Sequence, residues 1–324
     1  MATKSSSVNI PVGILGVGHM GSYHAGVLSQ NYPHDFVGVY DIDHKRGAAI
    51  AKKHDVKNFS SIEEMAKEIK AVIIASPTST HYEYTLKMLS QNIHVLVEKP
   101  FTDNYENALE LCQMSQKKNV NLMVGHVERY NGAVQELSKL VDTPYLWLSR
   151  RIGPSNDRIK DSGVCLDLFI HDLDICLRTI KSRVSDVKAS GVFTKKNRYE
   201  DAVSAQITFE NGCLATFLAC RVSHQKERLL TIIDKNYNLL LDFTTQDITI
   251  YKDGQSHITT EPKQIRYQLQ STIERLFIHK ENPLKSEIDD FLCSIRDGKT
   301  IENELDLETL KIALKVRDAI VKEN

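Results

Sequence analysis

Through about residue 125, short apolar runs alternate with stretches whose apolar residues recur at helical spacing. Strands are predicted at 9–15, 35–40, 71–75, 93–97 and 120–124, and helices at 19–30, 44–53, 61–69, 79–91 and 103–118. Repeated strand–helix units whose strands are apolar throughout form a doubly wound parallel sheet, because helices must cover both of its faces. Ligands of such sheets bind beyond the carboxyl ends of the strands. That rule singles out Gly16–Gly21, Asp41, Ser76-Pro77-Thr78, Glu98-Lys99-Pro100 and the segment starting at Gly125.

After about residue 143 the pattern changes. One helix is predicted at 164–180, followed by strands at 186–195, 202–209, 213–223, 228–234, 238–243, 247–251 and 256–260. Strict alternation in Ala202–Phe209 marks a half-buried strand, and Asn211-Gly212 and Asp253-Gly254 both read as hairpin turns. Helices at about 283–297 and 305–322 end the chain. The expected architecture is an α/β domain at 1–125 and, at 126–324, an α+β domain with a large, open, mainly antiparallel sheet. The terminal helices are free to pack back on the first domain. So few helices cannot cover both faces of that sheet, so self-association is expected to bury the second face.

The 324 residues are 41% hydrophobic with a net charge of −1, which fits globular domains and leaves no basic field for nucleic acid or anionic lipid. No apolar run reaches membrane-spanning length, and Met1–Val8 lacks a hydrophobic signal core, so a cytoplasmic protein is expected. Six cysteines show no metal-ligand spacing, and most sit in apolar runs, so buried, reduced thiols are the expected default.

Against this background Gly16-Val17-Gly18-His19-Met20-Gly21 carries weight, because it joins a predicted strand to a predicted helix and Asp41 ends the next strand. That order is the dinucleotide-binding fingerprint. Gly16 serves the tight turn, Gly18 lets a pyrophosphate approach, and Gly21 allows close helix–strand packing. Asp41 can accept hydrogen bonds from both ribose hydroxyls and would repel a 2′-phosphate, which favours NAD over NADP. Asp43 serves equally as a helix cap, while Lys45 and Arg46 lie near enough to neutralise a phosphate.

Asp167 and His171 fall four residues apart on one predicted helix, interrupting an otherwise apolar run. A neutral imidazole can act as general base toward a hydroxyl, and a carboxylate beside it sets the tautomer. An exposed acid–histidine pair is the plainer alternative, but an apolar helix obliges both groups to find partners or a cavity. Asp172 and Asp174 add negative potential. Lys99 follows an apolar strand and precedes Pro100, where its ammonium could stabilise developing alkoxide; a surface turn fits the same residues. Asp167, His171 and Glu128 could ligate a metal, but no thiolate pair or HExxH supports this, so no metal is expected. The clusters Gly125–Asn131 and Arg150-Arg151-Ile152-Gly153-Pro154, with Arg158 and Lys160, suit a phosphate-bearing substrate or a solvated charged loop.

Taken together these residues resemble the Gfo/Idh/MocA oxidoreductase family over almost the whole chain, and within it the nucleotide-sugar branch. The resemblance implies that Lys99 and His171 are catalytic, supported by Asp167, and meet over the bound cofactor. It implies NAD contacts from Gly16, Gly18, His19, Met20, Gly21, Asp41, Ser76, Pro77, Thr78, His81, Glu98 and Lys99. Substrate contacts would come from Lys99, Glu128, Tyr130, Asn131, Arg158, Asp167 and His171. A cis peptide before Pro100 and a homodimer or homotetramer through the second domain's sheet are further implications. The expected reaction is oxidation of a secondary hydroxyl, at C3, of a UDP-N-acetyl amino sugar. Alternatives are an inositol or simple-sugar dehydrogenase of the same family, or a non-catalytic NAD-binding sensor. Asn131-Gly132 departs from the Asn-Pro common in relatives, which leaves that turn less rigid.

Overall fold

A computed structural model describes residues 9–154, 162–194, 199–261 and 264–323. In its first half, strands β1 (Val12–Leu15), β2 (Phe36–Tyr40), β3 (Lys57–Asn58), β4 (Ala71–Ile74), β5 (His94–Glu98) and β6 (Leu122–Gly125) make one parallel sheet. Their order is β3-β2-β1-β4-β5-β6, so the winding reverses between β1 and β4, where the loops after the two strands diverge. Helices α1 (His19–Asn31), α2 (His44–His54), α3 (Ile62–Ala66), α4 (His81–Ser90) and α5 (Tyr105–Lys118) form the connections. Every residue of β1 and β4 is buried, as a sheet covered on both faces requires. Asp43, Ser61 and Asn104 cap α2, α3 and α5 by accepting backbone amides. The two-residue edge strand β3 was not expected, because Lys57 and Asn58 are exposed and carry no apolar pattern.

The second sheet holds eight strands: β7 (Leu146–Ile152), β8 (Val184–Val192), β9 (Ala202–Phe209), β10 (Leu214–Cys220), β11 (Glu227–Ile233), β12 (Asn238–Asp242), β13 (Asp247–Glu261) and β14 (Gln264–Arg275). Their order is β14-β13-β12-β11-β7-β10-β9-β8, antiparallel except for the β7–β10 pair. Helix α6 (Gly132–Leu140), a π-helical turn at Cys165–Phe169 and helix α7 (Ile170–Ile180) belong to this half. The π turn and α7 pack on β10 and β7. Toward that cover point Trp147, Val203, Ile207, Phe217, Leu230 and Leu241, each contributing roughly 1.5–3 kcal/mol by leaving water. The opposite face leaves Leu148, Leu218, Tyr251 and Ile273 exposed.

Three expectations are corrected here. Asp253-Gly254 is not a hairpin turn, because β13 runs on through it with a shift of register between Asp253 and Ser256. The two strands expected at 247–251 and 256–260 are therefore one. Helix 164–180 begins as a π turn rather than an α-helix. Elements α6, β7 and β14 were not foreseen. Asn211-Gly212 does link β9 to β10, with Gly212 at a φ of 87° that favours glycine.

Helices α8 (Pro283–Arg296) and α9 (Glu304–Glu323) complete the chain. The chain divides into two units, one containing residues up to Val127 with Asn282–Leu314, the other Glu128–Glu281 with the residues from Lys315. Among the described residues no helix is long and apolar enough to cross a membrane.

Candidate active site

The glycine loop of the first unit has the shape a dinucleotide requires. Gly16 sits at a φ of 86°, and a Cβ there would lie 2.8 Å from the Ser76 amide nitrogen. A Cβ on Gly21 would fall 1.9 Å from the Gly16 carbonyl oxygen, so only glycine lets α1 start this close to β1. Around Gly18 a Cβ would meet nothing within 4 Å, so the backbone there is open to a ligand. No side chain caps α1 and no acid lies in its first turn, so the positive helix end faces outward without a competing charge. His19, exposed and edge-on to Tyr23, and Met20 flank this entry. The donor set fits a pyrophosphate.

Asp41 is buried at the end of β2 and accepts four hydrogen bonds: from the amides of Val17 (2.8 Å) and Asp43 (2.8 Å) and from Arg46 Nε (3.1 Å) and Nη2 (3.0 Å). Burial raises its pKa, but Arg46 and the two amides outweigh burial and hold the carboxyl below its ordinary range. Its acceptor sites are full. A ribose hydroxyl could bond to Asp41 only in place of Arg46, whose side chain is 47% exposed.

Ser76-Pro77-Thr78 leads into α4, and His81 at the start of that helix ties two loops together. Its Nδ1 lies 2.9 Å from the Pro100 carbonyl and its Nε2 2.9 Å from the Ser76 carbonyl. Burial pushes the His81 pKa down. The Lys99–Pro100 peptide is cis. Lys99 is partly buried, whereas Glu98 points into the interior, where His24 Nε2 on α1 meets its Oε1 at 2.7 Å. Burial raises the Glu98 pKa, but the His24 contact and the charges of His24, Lys99 and His81 outweigh it and hold the carboxyl low. Glu287 of α8 lies with this pair, the three ligand atoms within 4.8 Å of one another.

In the second unit the widened turn at Cys165–Phe169 closes with the Ile170 amide donating to the Cys165 carbonyl, five residues back. Asp167, 9% exposed, lies within this turn, and His171, partly buried, follows on the first turn of α7. Glu200 anchors the entry: its Oε1 accepts the Cys165 amide at 3.0 Å and its carbonyl accepts the Val164 amide at 3.2 Å. Arg221 donates to Asp201 (2.8 Å) and to the Ser162 carbonyl (2.8 Å) beside it. The further negative potential expected from Asp172 and Asp174 does not develop. Asp172 accepts from Arg151 Nε (2.8 Å), Arg151 Nη2 (2.6 Å) and Ser149 (2.6 Å), and Asp174 from Arg129 twice at 2.6 Å.

Arg151 is 2% exposed; besides Asp172 it reaches Glu128 Oε1 at 2.8 Å, and it lies over the Phe243 ring. Burial works against its charge, but Asp172 and Glu128 outweigh burial and raise its pKa. The reading of Arg150-Arg151 as a phosphate cradle therefore changes. Arg151 is a core ion pair, and Arg150 lies on the opposite face with Glu227 at 2.9 Å. Asn131 caps α6 by accepting the Ala133 amide (3.1 Å) and donates to the Phe243 carbonyl (3.0 Å). The glycine after it has a steric reason, since a Cβ at Gly132 would lie 2.5 Å from the His279 carbonyl. Tyr130 is partly buried, and Arg158 lies outside the described residues.

Three residues that support these elements were missed: His24, Glu200 and Arg221. His24 offered a signal as a lone histidine on the inner face of the helix after the glycine loop. Glu200-Asp201, an acidic pair directly before an alternating strand, was another.

A parallel nucleotide-type sheet with an open glycine loop, followed by a unit built on a large mainly antiparallel sheet, is the architecture of an NAD-dependent oxidoreductase. Residues 10–126 match the family model described as an oxidoreductase family with an NAD-binding Rossmann fold, and residues 140–238 match the GFO/IDH/MocA C-terminal domain. The chain belongs to the Gfo/Idh/MocA family. It is 31% identical to UDP-N-acetylglucosamine 3-dehydrogenase of Acidithiobacillus ferrooxidans, covering 97% of this chain and 98% of the relative. A solved structure of that enzyme superposes with a TM-score of 0.88 at 30% identity, over 97% of this chain and 98% of that one. Glucose-6-phosphate 3-dehydrogenase of Bacillus subtilis is 32% identical over 40% of this chain and 37% of its own. The scyllo-inositol 2-dehydrogenase (NAD(+)) of the same organism is 28% identical over 65% of this chain and 67% of its own.

Proposed function

We propose that the protein is a sugar dehydrogenase that oxidises a secondary hydroxyl, at C3, of a UDP-N-acetyl amino sugar. The observation that carries this reading is the likeness to the Acidithiobacillus ferrooxidans enzyme along nearly the full length of both chains, in sequence and in fold. Bound NAD supplies the hydride acceptor. In this reading His171 takes the hydroxyl proton, and Asp167 steadies the imidazole and favours its charged form. Lys99 donates a hydrogen bond to the same oxygen and stabilises its developing negative charge. Glu128, Tyr130, Asn131 and Arg158 remain candidates for holding the sugar nucleotide. Residues 1–125 would then serve the cofactor and 126–324 the substrate.

Two copies are proposed to pair through the open face of the second sheet, where Leu148, Leu218, Tyr251 and Ile273 are between 38% and 58% exposed. Leu148→Asp with Leu218→Asp should then give a monomer by sedimentation velocity, and an unchanged assembly would exclude this face.

The test of activity is absorbance at the reduced-nicotinamide band, with NAD and NADP in parallel, over UDP-sugars, sugar phosphates and free polyols. UDP-N-acetylglucosamine should reduce NAD fastest. Reduction with inositol alone would move the protein to the polyol dehydrogenases, and bound NADH without turnover of any sugar would make it a sensor.

A further inference from the structure

We propose that Arg228 binds an oxyanion of the substrate, phosphoryl or carboxylate, beside the helix that carries His171. The inference deepens the sugar-dehydrogenase reading and rests on it. Arg228 lies on β11 directly opposite Arg151 on β7, and it shares a strand face with the buried Leu230 and Ile232. Both arginines thus point to the side covered by α7.

Their circumstances differ. Arg151 takes the carboxylates of Asp172 and Glu128 with three hydrogen bonds of 2.6–2.8 Å. For Arg228 the nearest acid is Glu128, with Oε1 at 3.6 Å from Nη1, beyond hydrogen-bond distance. Among the described residues its guanidinium makes no hydrogen bond, although it carries five N–H donors. The other arginines near this helix are committed: Arg129 to Asp174, Arg221 to Asp201, and Arg150 to Glu227 on the far face.

The electrostatics point the same way. Like charges directly opposite across two strands are unfavourable. Burial and the neighbouring Arg151 hold the Arg228 pKa below the usual guanidinium range, despite the attraction of Glu128, Asp172 and Asp167. A cation in surroundings that disfavour its charge gains most from an arriving anion. The side chain is 36% exposed, so one edge of the fork stays accessible to a ligand. Phosphoryl and carboxylate groups match that fork in two parallel hydrogen bonds. Asp167 lies within its electrostatic reach, which places the bound anion near the proposed proton-transfer pair.

Calorimetric titration of the NADH-loaded protein with UDP-N-acetylglucosamine, a UDP-linked uronate and glucose 6-phosphate tests this. Arg228→Gln should weaken the anionic ligand roughly 10-fold or more, because charge-assisted hydrogen bonds are lost. KM for that ligand should rise with little change in kcat, while turnover of neutral polyols stays the same. Arg228→Lys should recover part of the loss by keeping charge without the fork. Dependence on Arg228 confined to the uronate identifies a carboxylate, and dependence shared by all three identifies a phosphoryl group.

Equal affinities of wild type and Arg228→Gln for all three anions would overturn the proposal. So would parallel losses of melting temperature and neutral-polyol turnover, which mark a purely structural arginine. Arg228-dependent binding of glucose 6-phosphate without turnover of any UDP-sugar would sink the UDP-sugar reading and leave the oxyanion site standing. Failure of the wild type to bind any of the anions, with NADH still formed from a neutral sugar, would sink the oxyanion site alone.

Discussion

The two sheets handle charge in different ways. In the first, β1 and β4 are apolar from end to end, and the polar groups that matter (Asp41, Ser76, Glu98, Lys99) come at or just beyond strand ends. In the second, strands alternate, and the face under α7 takes in Arg151 together with apolar side chains. Buried arginines persist there because each has a carboxylate supplied from another element: Asp172 from α7 for Arg151, Asp201 from the start of β9 for Arg221. The first unit therefore shapes its site with backbone, through glycines and helix ends. The second shapes its site with linked side chains, where one removal disturbs several partners.

If that division is right, substitutions in the second unit should affect turnover and stability while cofactor binding survives. The largest effect is expected for His171→Ala, with a fall of roughly 10²–10⁴-fold in kcat and unchanged NADH affinity by fluorescence titration. Unchanged turnover would remove His171 from the mechanism. Arg151→Met should destabilise the fold by roughly 3–5 kcal/mol in urea denaturation, because Asp172 is left as a buried charge without its counter-ion. Adding Asp172→Leu should recover part of that loss. Strict additivity of the two would show that the pair does not act as a unit.

Changes in the first unit should register in the cofactor instead. Asp41→Ala leaves Arg46 without its carboxylate, so the ratio of kcat/KM for NAD to that for NADP should fall by about 10-fold, roughly 1.4 kcal/mol. A ratio that stays put would mean Asp41 serves only to hold Arg46 and the loop amides. The smallest effect concerns His81. Its folded pKa lies below the ordinary 6.5, so the unfolded chain binds the proton more readily, and stability should decline as pH drops below that value. One proton contributes at most about 1.4 kcal/mol per pH unit, and His81→Gln should flatten the slope of denaturation midpoint against pH.

The first sheet and its loop could be read from residues alone, because continuous apolar strands and Gly16–Gly21 depend on local chemistry. Alternating strands were legible where turn residues bounded them, as in Ala202–Phe209 with Asn211-Gly212. β7 escaped because Arg150-Arg151 reads as a solvated cluster, and nothing local reveals that Asp172 neutralises Arg151 from 21 residues away. β14 was legible and passed over, since Ile265, Tyr267 and Leu269 alternate with Gln264, Arg266, Gln268 and Gln270. At the site, Asp167 and His171 stood out as polar groups in an apolar run. Glu200, which anchors Val164 and Cys165, and Arg221, which holds Asp201 and Ser162, reach their targets from distant strand boundaries, so only the acidic pair Glu200-Asp201 gave a local hint.

The π turn at Cys165–Phe169 holds one more residue than an α turn closing the same hydrogen-bonded gap. Deleting one residue between Asp167 and His171 would restore regular winding and leave the two three residues apart, still neighbours on one face but about 1.5 Å closer along the axis. The extra residue therefore sets how far the carboxylate stands from the imidazole along the helix, and a family member lacking it would hold that pair at a shorter spacing.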